Sequence, residues 1–452
     1  MARRFKRVDY EQSRQQVVTL GECLPADHLV YFIVKSIAAL DLSAIYAHYA
    51  PVGGEAYAPE VLLGLLVYGY ASGVFSSRQI EKGTYETLPF RYIAGGLHPD
   101  HDTIANFRKT FLPQIRGLFV QVLVMAQEAG VLTLGNISLD GSKIHADASK
   151  SKAVSYGYLP KLTARLQAEV EELLLLAEQA DQADLPSGLD IEAEISFRQE
   201  RLVNLAQAQT VLEARAQERY ETEQAEYETK LGQRDLKAQA SEHKPRGRAL
   251  QPPVPGARPR DQYNFTDPDS RIMKNSTNDG FDQHYNAQVA VEQVSLLIVA
   301  PSLSNHPVDT AEAVPTILAI PAELGRPEAV AMDRNYFSPT TIKTLQAWGI
   351  EPYIATGREP HQHSWREFFA QAPEPPPAEA SLRVKMAYKL QTKIGRAIYR
   401  LRKCTVEPVI GIIKEVLGFR QFSLRGLTAA AGEWNLVCLA WNLKRLHGLM
   451  NL

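Results

Sequence analysis

The sequence predicts an α/β protein, a mixed sheet with flanking helices that is preceded by a helical N-terminal region and interrupted by a helical hairpin. Three observations carry this reading. Apolar residues recur at helical spacing up to about residue 130, and strand-like runs begin at Ile137 and resume near Phe281, where they alternate with helical pieces. Between them, residues about 160 to 240 turn into Ala, Glu, Gln and Leu. The expected boundaries are 1–130 for the helical domain, 131–160 for the first part of the sheet domain, 161–260 for the hairpin and its linker, and 261–452 for the rest of the sheet domain.

At 452 residues, with 45% apolar and 22% charged positions, the chain has an ordinary globular composition with room for two or three domains. No apolar run approaches the roughly 18 residues of a membrane span. The basic start, MARRFKRVDYEQS, has no apolar segment of the secretory kind, and the three widely spaced cysteines, Cys23, Cys404 and Cys438, read as free thiols in a reducing cytoplasm. The formal charge of -2 conceals an uneven distribution. Between Arg383 and Arg425 the only acids are Glu407 and Glu415 among many Lys and Arg, whereas Glu169 to Glu228 is rich in glutamate.

Taken in order, PEVLLGLLVYGYASG reads as an apolar helix, and Ser76 to Arg78 breaks it from RQIEKGTYETLPFRYIAGG. A longer helical stretch starts after Pro99 with Asp100 or Asp102 as cap and stops at Gly130. NISLDGSKIHADAS follows, a strand in which Ile137 and Leu139 keep one parity and Asp140 the other. Ile144 breaks that parity, so a register shift is expected at Gly141, with Asp140 near a strand end. RLQAEVEELLLLAEQA and the run from Ile195 to Leu231 form the hairpin, with LPSGLD as its turn and Leu173 to Leu176 as core or partner-helix surface. HKPRGRALQPPVPGARPRD is a loop. FDQHYNAQVAVEQ and SLLIVAPSLS are strands, followed by a helix, the short strand EAVAMDRNY, the helix SPTTIKTLQAWG, the strand EPYIATG, a Pro-rich loop and a long basic helical region.

Asp333 repeats the setting of Asp140: an apolar strand closes on an aspartate, then a turn and Ser338-Pro339 open a helix. Carboxylates at separate strand ends can converge where ligands gather in an open sheet. Glu407 stands at a junction, because Pro408 fits only a first helical turn or a kink. Lys414, seven residues on, shares its helix face, and Tyr399, Arg400 and Lys403 precede it within reach. A glutamate among cations is ordinarily a surface ion pair, but these cations exceed what one glutamate can pair with and suit phosphates. Two aspartates and a glutamate without a His or Cys cluster suit hard, oxygen-liking ions, magnesium or manganese. Two such ions can activate the nucleophile and stabilise the leaving oxygen of a phosphodiester.

At these motifs the chain resembles the DDE transposases of bacterial insertion sequences. The segment YAPVGGEAYAPEVLLGLLVYGYASG with HPDHDTIANFR is similar to an InsH-type N-terminal domain. SLDGSKIHADAS, SRIMKNSTNDGFDQHYNAQVAVEQ, AMDRNYFS and YRLRKCTVEPVIGIIKEVLGFRQFSLRG are similar to blocks of an RNase H-like catalytic domain. The resemblance implies Asp140, Asp333 and Glu407 as the catalytic, metal-holding triad, two Mg2+ or Mn2+ ions, and Lys414 as the lysine following the glutamate. Tyr399 with Arg402 or Lys403 stands for the family's tyrosine and arginine, and Glu292 stands where aspartate is common. The partners implied are terminal inverted repeats and target DNA, with a homodimer to join two ends and no membrane.

DNA-contacting candidates are Arg78, Lys82, Arg108 and Lys109 in the N-terminal helices and Tyr399, Arg400, Arg402, Lys403, Lys414 and Arg425 near the glutamate. A solvated helix face is almost as good an account of each N-terminal cation. His145 with Asp147, the HQHSW stretch, and Asp267, Asp269 and Asp279 are better read as polar strand face, surface and turn residues. The rival function is a non-catalytic DNA-binding protein or self-repressor derived from a transposase.

Overall fold

The computed structural model describes residues 19–50, 54–180, 190–240, 249–275, 280–357 and 374–450. The basic N-terminal stretch, most of the LPSGLD turn, the HKPRGR segment, Asp279 and the HQHSW stretch lie outside the described residues. The described strands are β1 Asn136–His145, β2 Ala153–Ser155, β3 Gln262–Asn264, β4 Arg271–Lys274, β5 Phe281–Glu292, β6 Ile298–Ser304, β7 Ala329–Met332 and β8 Glu351–Ile354. The chain divides into two compact units, one built from residues up to Ala146 and from His284 onward, the other from Asp147–Gln283.

In the first unit the sheet order is β6-β5-β1-β7-β8. β1 pairs antiparallel with β5 and β5 with β6, whereas β7 joins β1 in parallel and β8 joins β7 in parallel. This is a mixed α/β architecture, consistent with the RNase H-like arrangement expected. Strand β1 is flanked on both edges over Asn136 to Leu139, and Ile137, Ser138 and Leu139 are all fully buried there. The expected register shift at Gly141 does not occur. The ladder with β5 runs unbroken from Ile137 to His145, so Asp140 lies inside a ten-residue strand, not at its end. Ile144 keeps the parity of Asp140 and is buried on that same side, which is why its apolar character misled a reading based on one buried face.

The helices before residue 130 belong to this same unit. The C-terminal helix Leu427–Met450 packs against helices Leu112–Glu128 and Pro59–Ser72 and against β6. Its polar atoms serve the strands: Trp434 Nε1 donates to Gln288 O (3.1 Å), and Asn442 both accepts from Ile298 N (2.9 Å) and donates to Ile298 O (2.8 Å). The break after Pro59–Ser72 is made by Gly73 in the left-handed region (φ 81°), where a Cβ would stand 2.7 Å from Leu417 O. Asp100 caps His101–Thr110 by accepting from Thr103 N (2.7 Å), as the sequence indicates.

The second unit contains helices Leu159–Ala180 and Ile191–Ala240, packed on one another around Val154, Leu162, Leu166, Leu205, Ala208, Leu212 and Tyr263. Arg198 bridges the two helices to Glu169 (2.9 Å), and Arg219 pairs with Asp261 (3.0 Å). Of the four consecutive leucines only Leu173 is buried; Leu174, Leu175 and Leu176 face solvent. Asp269 pairs with Arg215 (3.8 Å) inside this unit.

Arg108 is 7% exposed, which removes it from the DNA-contacting set. Its Nη1 donates to Tyr70 Oη (2.9 Å) and Phe75 O (3.1 Å), Tyr70 donates to Glu433 Oε1 (2.8 Å), and the guanidinium lies 3.9 Å from that carboxylate. Glu433 also accepts from Ser423 N (2.9 Å) and Leu424 N (3.1 Å), so it anchors the loop leading into the C-terminal helix. Helical periodicity does not reveal this: a cation on an amphipathic helix looks solvated until a later element brings its partner. Because Glu433→Ala leaves Arg108 buried without its counter-charge, urea unfolding should show a loss of about 3 to 5 kcal/mol.

Candidate active site

Where the β1–β7 ladder ends, the last paired residues are Leu139 and Met332, so the next residue on each parallel strand is an aspartate, Asp140 and Asp333. The backbone remains extended at Asp333 (φ -74°, ψ 176°), and its carboxylate caps the following turn by accepting from Asn335 N (2.7 Å). Apolar β7 is buried along its whole length, and the turn that follows it releases Asp333 to the rim of the sheet.

Residues of even number on β1 share one face. That face carries Ser138, Asp140 and Ser142, and each meets a residue of the segment from Arg402 to Lys414. Thr405 Oγ1 bonds Ser138 Oγ (2.8 Å), Arg402 Nη1 donates to Asp140 Oδ2 (2.9 Å), and Lys414 Nζ donates to Ser142 Oγ (2.8 Å) and Lys143 O (3.3 Å). Glu407 enters in the first turn of helix Val406–Gly411, where a carboxylate is favoured by the helix N-terminus. The other nitrogen of the same guanidinium, Arg402 Nη2, lies 2.8 Å from Glu407 Oε1. One cation therefore bridges the first and third candidate carboxylates.

Burial is the largest influence on Asp140 and pushes its carboxyl up to about 6; Arg402 and the Gly141 N–H pull the other way, and the charges of Asp333 and Glu407 raise it further. Asp333 is also raised, first by burial, with Asn335 N–H and Arg402 opposing and Asp309 adding to the rise. The Arg402 charge thus opposes the rise at both aspartates. Among the described residues no group of three or more His, Cys, Asp or Glu side chains stands close enough to hold a metal ion; Asp140 and Glu407 are paired with Arg402 instead.

This geometry gives two of the expected DNA contacts partners within the protein. Arg402 is buried between carboxylates, and Lys414 is half-buried on β1, its ammonium lowered by desolvation. The shared-face argument for Lys414 assumed regular α-helical spacing, but residues Ile412–Val416 form a π turn that breaks it. Tyr399 lies beside Arg402, its ring centroid 5.9 Å from the guanidinium carbon. Arg78, Lys82, Lys109, Arg400, Lys403 and Arg425 are exposed, with Lys82 3.5 Å from Glu86 one turn along. Sequence reasoning missed Asp309, whose influence on Asp333 was not signalled by any strand-end motif. Cys404, exposed, and Cys438, buried in the C-terminal helix, are free thiols like Cys23.

Residues 18–110 match the family described as Transposase domain (DUF772), and residues 376–447 match the Transposase DDE domain. Both matched families are transposase domains, the second of the DDE type. The first match contains Arg78, Lys82, Arg108 and Lys109, and the second contains Arg402, Glu407 and Lys414, while Asp140 and Asp333 fall outside both. No curated protein and no solved structure matches the chain. Among the described residues no single helix is long and apolar enough to cross a membrane.

The raised Asp140 carboxyl has a consequence for stability. The folded chain holds this proton up to about pH 6, whereas an unfolded aspartate releases it near about 3.9, so between those values the folded state binds more protons and loses stability as pH rises. Without divalent ions, Asp140→Asn should therefore unfold at higher temperature than the parent at pH 7.5, by up to about 3 kcal/mol, a difference that should vanish below pH 4 in thermal melts.

Proposed function

We propose that this transposase binds the terminal inverted repeats of an insertion sequence and catalyses divalent-metal-dependent DNA strand cleavage and strand transfer, with Asp140, Asp333 and Glu407 as the catalytic carboxylates. The observation that supports this most is the meeting of Asp140 on β1 and Glu407 on a late helix at one guanidinium, with Asp333 following the strand parallel to β1. Nothing in the stability of the fold calls for that concentration of negative charge, and burial of Asp140 makes it costly.

The chemistry of the donor set suits Mg2+ or Mn2+, since all three candidate ligands are carboxylates, and Arg402, the cation between two of them, has its Nε buried with no hydrogen-bond acceptor. Asp140, Asp333 and Glu407 would hold two ions. When bound, they supply Lewis-acid activation of the attacking hydroxyl or water and neutralisation of the leaving 3′ oxygen. The chain's own contributions are separable from this. Thr405, Arg402 and Lys414 fix the Glu407 helix to β1, and Arg402 can exchange a carboxylate for a DNA phosphate, for which its planar fork is equally suited. Arg78, Lys82, Lys109, Arg400, Lys403 and Arg425 are assigned to backbone phosphates, which position the duplex without reading its sequence. A homodimer acting on nucleoid DNA in the cytoplasm follows from the need to hold two ends at once.

Glu407→Gln preserves size and the helix start but removes the charge that would hold the ion. It should abolish cleavage of a duplex carrying the inverted repeat that flanks the gene, in magnesium, while end binding by gel shift stays equal or becomes slightly tighter. Cleavage at the parental rate would instead favour a non-catalytic DNA-binding protein derived from a transposase.

A further inference from the structure

Behind Asp140, on the opposite face of β1, lies a second polar assembly that the triad does not include. Gly141 and Lys143 point to this side, and the antiparallel register sets Gln288 beside Gly141 and Asn286 beside Lys143. Three donors reach one oxygen, Oδ1 of Asp309: Lys143 Nζ (3.2 Å), Asn286 Nδ2 (2.7 Å) and Gln288 Nε2 (3.1 Å). Asp309 is on the connection between β6 and helix Ala313–Leu318. The next residue, Thr310, donates to Asn335 O (2.9 Å), in the turn that Asp333 caps, and Tyr336 of that turn donates its hydroxyl to Gln288 Oε1. A Cβ at Gly141 would stand 2.1 Å from Gln288 Nε2, so glycine is what admits the amide to this position.

The arrangement addresses a mechanical problem. The β1–β7 ladder stops at Leu139 and Met332, one residue before the two aspartates, so no ladder hydrogen bond fixes Asp140 relative to Asp333. The side-chain network takes over there: the Asp309 carboxylate joins β1 and β5, and the neighbouring Thr310 together with the Tyr336–Gln288 hydrogen bond attaches the Asp333 turn to it.

We propose that Asp309 is a positioning residue of the strand-cleavage reaction, locking the Asp333 turn against β1 so that Asp140 and Asp333 are presented side by side. The inference rests on the catalytic reading of those two aspartates. Asp309 acts through them and is not itself assigned to the reacting atoms. The alternative is a loop anchor with no effect on the acids, alongside the neighbouring His306 to Glu312 contact (2.8 Å) that also braces this connection.

The test compares Asp309→Asn with the parent in single-turnover cleavage of the inverted-repeat duplex across a manganese titration, together with Mn2+ binding to the free protein by electron paramagnetic resonance, end binding and thermal melting. Positioning predicts a cleavage rate and Mn2+ affinity each lower by about 10- to 100-fold, the range for residues that orient metal-holding groups, with end binding unchanged. Tyr336→Phe, which deletes one hydroxyl from the same network, should shift both quantities in the same direction by less, and it decides the question if Asp309→Asn fails to fold. Parental rate and Mn2+ affinity in either folded variant, with Asp140→Asn inactive, would overturn the positioning role while leaving the catalytic reading intact. Parental cleavage by Asp140→Asn would overturn both.

Discussion

The site depends on one guanidinium. Arg402 touches Asp140 with one nitrogen and Glu407 with another, so groups drawn from distant parts of the chain share a single counter-ion, and its charge opposes the rise at Asp333. Like charges brought together in a partly dry environment repel strongly. Without a cation between them, strand β1 and the Glu407 helix would be driven apart just where Thr405 and Lys414 hold them together.

A second ionic contact does comparable work for the framework. The Arg108, Tyr70 and Glu433 chain ties an early helix to the start of the last one, and that last helix also carries the hydrogen bonds that seat it on β5 and β6. The helical N-terminal segment and the sheet therefore belong to one compact unit, although their sequence patterns differ. Residues that would carry DNA contacts from this segment are Arg78, Lys82 and Lys109, on its exposed faces, rather than its buried arginine.

Much of this was legible in the sequence, and the failures have identifiable causes. Asp333 at the end of its apolar strand was visible because β7 is short and fully buried, and Glu407 was visible because a proline fixes the helix start beside it. The position of Asp140 within β1 was misjudged because both faces of that strand are covered, which removes the parity signal. Arg402 and Lys414 were read as phosphate contacts because sequence gives the number of cations but not their partners. The π turn before Lys414 has no periodicity of its own to announce it. Glu292, an apparent departure from the family pattern, closes its turn by accepting from Val294 N and Ser295 N (3.0 and 2.6 Å), a role for which either acidic side chain has suitable oxygens. Asp309 was hidden because its importance lies in convergence of donors from β1 and β5, which only the folded register creates.

The four-residue length of β7 has an implication for how such a chain can vary. In a sheet, sliding a strand by one position turns each of its side chains to the other face. Loops before Ala329 can lengthen or shorten freely, since the strand can re-enter the same register, but a residue gained or lost between Val330 and Asp333 would rotate the acid away from its neighbour even though every functional side chain was retained. Relatives of this chain should therefore accumulate insertions in the approach to β7 and almost none along it, since one inside the strand would displace the aspartate while leaving its sequence motif readable.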